Sequence, residues 1–249
     1  MIEIEKTDFK ELQRILPIFS KEVSLICKKN EDNIIEKKER FNVFDSLTKH
    51  HLEELHTNFI SYMLDPKATH DCDSIFLNCF IQTLIESDKI KNIIEKSSIS
   101  MDYSTVTVHK EFIEGSEKLD IYIHFPGKLN IVIENKIGAR EQFKQIKRYV
   151  EFCEKRKKTE KEYIVLYLTP TGWHSKTAGG KEYYPISYNK HILKWLNKCM
   201  ESDEIKDSRF VISGIKFYKD MIEKNISELS KKKSNLKRGK GNVAGISYP

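Results

Sequence analysis

The sequence predicts an α/β fold, a mixed sheet of about four to five strands flanked by helices, with further helices before and after it. Three observations carry this. Residues 8–87 repeat apolar side chains at spacings of three and four, residues 104–136 alternate and are rich in β-branched types, and residues 139–169 read as a helix followed by a nearly continuous apolar run. A helix inserted between two strands lets them run parallel, whereas the tight turns upstream favour an antiparallel meander.

Taken in order, Phe9, Leu12, Ile15, Leu16, Phe19, Val23 and Ile26 place one or two amphipathic helices in residues 8–38, with a solvated junction at KKNEDNIIEKKER. Leu52, Leu55, Phe59, Ile60, Met63 and Leu64 predict a second helix over 46–64, stopped by Asp65-Pro66. A third covers 73–87. Strands follow at 104–113, 119–125 and 129–136; then comes a helix over 139–156, with Phe143, Ile146, Val150 and Cys153 on its apolar face, and a buried strand at 162–169. Helices near 189–200 and 208–229 complete the pattern. The expected organisation is an N-terminal helical segment (1–45), one central domain (46–229) and a basic, disordered tail (230–249).

Composition narrows the class. The net charge is +6, and Lys231, Lys232, Lys233, Lys237, Arg238 and Lys240 supply all of it, so the rest of the chain sums to zero. A modest bias confined to one tail is no nucleic-acid signature by itself. Five cysteines without a CxxC pair argue against a disulfide framework or a zinc knuckle. With no run of 18 apolar residues and no secretion signal, the expected location is the cytoplasm, away from membranes.

The chemistry lies in the hairpin. A three-residue loop at Pro126-Gly127-Lys128 pairs Phe125 with Leu129, so Ile121 faces Ile133 and Ile123 faces Ile131 on one apolar side. On the other side Asp120 opposes Glu134, with Lys136 two residues further along. Like charges directly opposed are destabilising, and a divalent cation removes the conflict. Asp120, Glu134 and the carbonyl of Asn135 would then hold Mg²⁺, or Mn²⁺, while Lys136 positions or helps deprotonate a water and offsets charge in a phosphodiester transition state. The plain alternative is a cross-strand salt-bridge cluster of little consequence.

This pattern resembles the D…(D/E)xK signature of the PD-(D/E)XK nuclease superfamily, and the resemblance extends over roughly residues 50–200. It includes a helix with E-x-x-H-[ST], here taken at Glu54 and Leu55 with His56-Thr57 in place of His-Ser, then Leu64-Asp65-Pro66 and His70. Gln145-Ile146-Lys147-Arg148-Tyr149 supplies a Q-x-x-x-Y, and Leu168-Thr169-Pro170 leads to Gly172. The resemblance implies a restriction-endonuclease-like core, a metal-dependent nuclease or endonuclease acting on DNA in preference to RNA, and a place in bacterial defence or mobile-element biology. It also implies a metal-site role for Glu54 and catalytic flanking roles for Gln145 and Tyr149. A homodimer is compatible with it, as is a nuclease-like module that binds nucleic acid or protein without cutting.

Other candidates carry less. Glu111, one strand upstream, is a further acid for a second ion. Gln142, Gln145 and Tyr149 share a face if the helix begins at 139, with Lys144, Lys147 and Arg148 near enough to meet a phosphate backbone. His50, His51 and His56 lack metal-ligand order, and His56 and His70 suit structural bonds around the Leu64-Asp65-Pro66 turn. Tyr183, Tyr184, Tyr188 and Trp195 suit packing, and Gly179-Gly180 a loop, since no nucleotide-binding glycine motif is present.

Overall fold

A computed structural model describes residue 21 and residues 42–46, 53–99, 103–115, 117–157 and 159–226. The expected helices within 8–38, His50, His51 and the tail beyond 229 lie outside the described residues apart from Lys21. The chain divides into two compact units, residues 1–46 and 47–249. In the first, a single helical turn, Val43–Ser46, is opened by Asn42, whose Oδ1 accepts the Phe44 N–H at 3.0 Å.

The second unit is built on one five-stranded sheet in the order β1-β2-β3-β4-β5: β1 Thr107–Glu114, β2 Glu117–Phe125, β3 Leu129–Asn135, β4 Glu162–Thr169 and β5 Tyr184–Ser187. β1, β2 and β3 are antiparallel neighbours, and β4 and β5 continue the sheet in parallel. The hairpin register is the expected one, with Phe125 against Leu129 and Ile121 against Ile133. Its turn closes through the Lys128 N–H to Phe125 O at 3.0 Å, and Gly127 takes the positive φ of 69° that a side chain would resist.

Every residue of β3 is buried, because β2 and β4 flank its edges and helices pack on the strand. That position takes the polar end of the strand, Glu134 and Asn135, into the interior along with its isoleucines. β5 contains Pro185, which removes a ladder donor and weakens any strand signal in sequence; the edge of a sheet tolerates it.

Six α-helices flank this sheet among the described residues: α1 Glu53–Leu64, α2 Ile75–Leu84, α3 Asp88–Ser97, α4 Gln145–Arg156, α5 Leu193–Met200 and α6 Arg209–Met221. The mixed sheet with its helical layers is an α/β, restriction-endonuclease-like architecture. α4 packs Ile146, Tyr149, Val150 and Cys153 on Tyr122, Val132, Val165 and Tyr167. Trp195 is fully buried and its indole N–H bonds Phe76 O at 2.8 Å, pinning α5 to α2.

Two helical expectations change. The apolar spacing does not predict α3; Ser87 precedes it, and Ile90 and Ile94 bury one narrow side of an otherwise charged helix. α4 begins at Gln145, six residues later than spacing suggests, because Lys144 adopts a left-handed φ of 51°. The loop before it is held elsewhere: Glu141 bonds the Ser175 and Thr177 hydroxyls and the Lys176 N–H. Thr177 in turn accepts the Ile146 and Lys147 N–H groups, orphan donors of the helix's first turn. Phe143, expected on the apolar face, therefore lies in a turn and is 78% exposed, and Gln142 is off the helix.

Candidate active site

The antiparallel ladder between β2 and β3 ends at Ile121 and Ile133, and beyond it the strands exchange a side-chain bond instead. Asp120 Oδ2 accepts the N–H of Asn135 at 2.8 Å. This leaves Asp120 and Glu134 at the same end of the sheet, on the face that Tyr122 and Val132 turn toward α4. Lys136 sits just past β3, its N–H bonded to Leu168 O on β4 at 2.8 Å, and its Nζ lies 3.1 Å from Glu134 Oε1. The three residues singled out from the hairpin are thus one cluster.

Glu134 has no exposed surface, and neither of its carboxylate oxygens accepts a hydrogen bond of normal geometry among the described residues. Burial, reinforced by the charge of Asp120, pushes its carboxyl up to about 8. Burial also lifts Asp120 above the ordinary aspartate value, although the Asn135 N–H pulls the other way. For Lys136, burial opposes its charge, yet Glu134 and Glu53 outweigh it and hold the group above the usual lysine value. Lys136 is therefore an ammonium.

The acid on α1 that meets the cluster is Glu53. One of its oxygens lies 3.2 Å from Lys136 Nζ; the other accepts three consecutive N–H groups, from Ile137, Gly138 and Ala139, at 2.9, 3.1 and 3.0 Å. Burial raises its carboxyl, but Lys136 and these donors prevail and hold it below the ordinary value. Glu54 is exposed, on a shallow surface with Asn58, Phe59 and Tyr62. The acid of the E-x-x-H motif is Glu53 and not Glu54, since Glu53 stands three residues before His56 and one helical position separates the site from solvent.

Asn135 is fixed from several sides. Its Nδ2 donates to Glu53 O at 3.0 Å and to Thr57 Oγ1 at 3.1 Å, and its Oδ1 accepts the Tyr188 hydroxyl at 2.7 Å. Behind Tyr188 the Tyr218 hydroxyl contacts His56 Nδ1 at 2.9 Å, so His56 is a buried structural residue. His70 is structural too, its ring contacting Asp65 O and accepting the Cys72 N–H.

Gln145 and Tyr149 are both buried and joined, Gln145 Nε2 donating to the Tyr149 hydroxyl at 3.2 Å. That hydroxyl donates to Lys118 O at 2.6 Å, and Gln145 Oε1 accepts the Gln142 N–H at 3.0 Å. Burial first and Glu134 second hold the phenol protonated, well above its ordinary value. The pair stands beside Glu134 and ties α4 to β2. Glu111 is exposed and ion-paired to Lys118 at 2.7 Å.

A buried carboxylate whose Oε2 accepts no hydrogen bond among the described residues, next to a second carboxylate that is only half buried, suits a hard divalent cation. Asp120 and Glu134 would hold it, with the Asn135 carbonyl as a further oxygen. No group of three His, Cys, Asp or Glu side chains that could hold a metal ion is found among the described residues.

Compared with known proteins, residues 41–233 match a family model described as the PD-(D/E)XK nuclease superfamily. Neither the curated proteins nor the solved structures yield a match.

Proposed function

The chain belongs to the PD-(D/E)XK nuclease superfamily, whose nucleases generally use divalent metals, and from that premise we propose that it is a Mg²⁺-dependent endonuclease that hydrolyses phosphodiester bonds in DNA. One observation carries this reading: Asp120, Glu134 and the Lys136 ammonium meet where the β2–β3 ladder opens, and buried Glu134 meets that ammonium through Oε1 while its Oε2 accepts no hydrogen bond among the described residues. Mn²⁺ would substitute for Mg²⁺.

A divalent ion bound there supplies a more acidic water and a counter-charge for a non-bridging phosphate oxygen. Asp120 and Glu134 would hold it, and the orientation of Asp120 is set by the Asn135 N–H. Lys136 faces the reacting phosphate as a cation, positioning the attacking water and offsetting charge that grows in the transition state. Its acidic neighbours favour its ammonium form, which suits both tasks. Glu53 holds the ammonium in place, and Gln145 with Tyr149 steadies the adjoining helix.

RNA is the alternative substrate for the same groups, and a non-cutting module is disfavoured because acid, acid and lysine are all intact. Homodimerisation and a part in bacterial defence or mobile-element biology belong to the proposal through family likeness alone, and a cytoplasmic location belongs to it through composition, five cysteines without a CxxC pair. The test is incubation with plasmid, linear and single-stranded DNA and with RNA, under Mg²⁺, Mn²⁺ or EDTA, for wild type and Glu134→Ala. Metal-dependent cleavage lost in Glu134→Ala is expected. No cleavage with either metal, or an equally active Glu134→Ala, removes the assignment.

A further inference from the structure

We propose that Phe143 is the base-stacking residue of this site, its ring packing on a nucleobase that flanks the bond to be cut, with Arg140 and Lys144 against the neighbouring phosphates. The inference rests on the nuclease reading and adds to it a residue for substrate grip. A side chain this apolar, 78% exposed, is worth explaining only where its surroundings limit what covers it.

Here they do. The turn follows the catalytic strand by seven residues and is firmly tethered at both ends. Glu141 is bound by Ser175, Lys176 and Thr177, the Gln142 N–H by Gln145, and the Phe143 carbonyl by Arg148. Arg148 also bonds Glu117 at 3.1 Å, which places the turn at the Asp120 end of β2. An anchored backbone thus presents an unburied ring on a turn that Gln145 links to Tyr149, the phenol next to Glu134.

Its neighbours are cations. Lys144 Nζ lies 4.9 Å from the ring centre, and neither Lys144 nor exposed Arg140 makes an ion pair among the described residues. The nearby acid Glu141 is already consumed. An exposed aromatic ring with the Lys144 ammonium over one face and Arg140 three residues before it in the chain, neither cation ion-paired among the described residues, matches a polyanion whose repeating units carry π-faces, which is a nucleic acid; an apolar protein surface would leave those cations without an anion. Ile113, also exposed, stands between Glu111 and Glu114 and lacks this complementarity.

The experiment compares wild type with Phe143→Ala, Phe143→Leu and Phe143→Trp in steady-state cleavage of single-stranded and duplex oligonucleotides. It adds 2-aminopurine fluorescence on the Lys136→Ala background and sedimentation of each protein. Phe143→Ala and Phe143→Leu are expected to lose about tenfold to a hundredfold in kcat/KM, through KM, as one stacked base is worth. They should also lose the 2-aminopurine quenching, while Phe143→Trp keeps both and melting is unchanged. A wild type that cuts while Phe143→Ala stays within twofold of it, or a dimer that Phe143→Ala dissolves, overturns the proposal alone. A wild type that cuts nothing removes the nuclease reading and this one with it.

Discussion

Glu53 and Lys136, 83 residues apart in sequence, are joined by a 3.2 Å ion pair, and the same carboxylate gathers the three N–H groups that follow the lysine. One side chain on α1 thereby sets both the lysine's position and the path of the chain leaving β3. Glu53→Gln keeps an oxygen for the backbone donors but loses the charge. It should lower kcat about tenfold with little change in KM or melting, whereas Glu53→Ala should also destabilise by about 2 kcal/mol. Kinetics with urea unfolding separate the two effects; an unchanged kcat in both variants would deny Glu53 a positioning role.

Lys136→Ala is expected to reduce kcat about a hundredfold or more, since it removes a fixed cation from a water-poor site. Lys136→Arg should restore only part of this, because a planar fork cannot reproduce a point charge held between two carboxylates. Full activity in Lys136→Ala would mean that its charge does not meet the transition state.

With its carboxyl near 8, Glu134 is mostly protonated at neutral pH in the metal-free protein, so binding an ion must expel that proton. Calorimetry in buffers of different ionisation enthalpy should find about one proton released per ion near pH 7 and almost none above about pH 9. Proton release independent of pH would contradict the assignment.

The same shift sets a stability trend. A value raised above the ordinary 4.5 means the folded state binds the proton more tightly, so this group's contribution is complete below 4.5 and is lost as pH rises toward 8. Metal-free Glu134→Gln, which cannot ionise, should therefore be more stable than wild type at pH 9 and similar at pH 5. Urea midpoints at both pH values decide it.

Tyr149→Phe leaves the Lys118 carbonyl and the Gln145 amide short of a partner and should cost about 1–2 kcal/mol. Its kcat should fall less than tenfold, because a phenol held protonated braces α4 and β2 without moving a proton. A larger fall in kcat at unchanged stability would make Tyr149 catalytic.

Much of the fold was legible because periodicity reports local burial. Strict alternation and the Pro126-Gly127 turn set the hairpin register, and β4 matched its apolar run at both ends. The short β5 and the start of α4 were not legible, since Pro185 hides an edge strand and Thr177, 31 residues from Ile146, satisfies the donors of α4's first turn. A spacing rule sees neither.

The sequence by itself determined which side chains share a face: Asp120, Glu134 and Lys136 follow from a period of two and one turn. Only the tertiary structure decided what those groups are. Burial of β3 in the interior of the sheet, under its helices, makes Glu134 a proton-holding carboxyl group, and the approach of α1 selects Glu53 to meet Lys136. The physical reason is that a residue's face is set by its neighbours along the chain, whereas its charge state is set by what surrounds it in space.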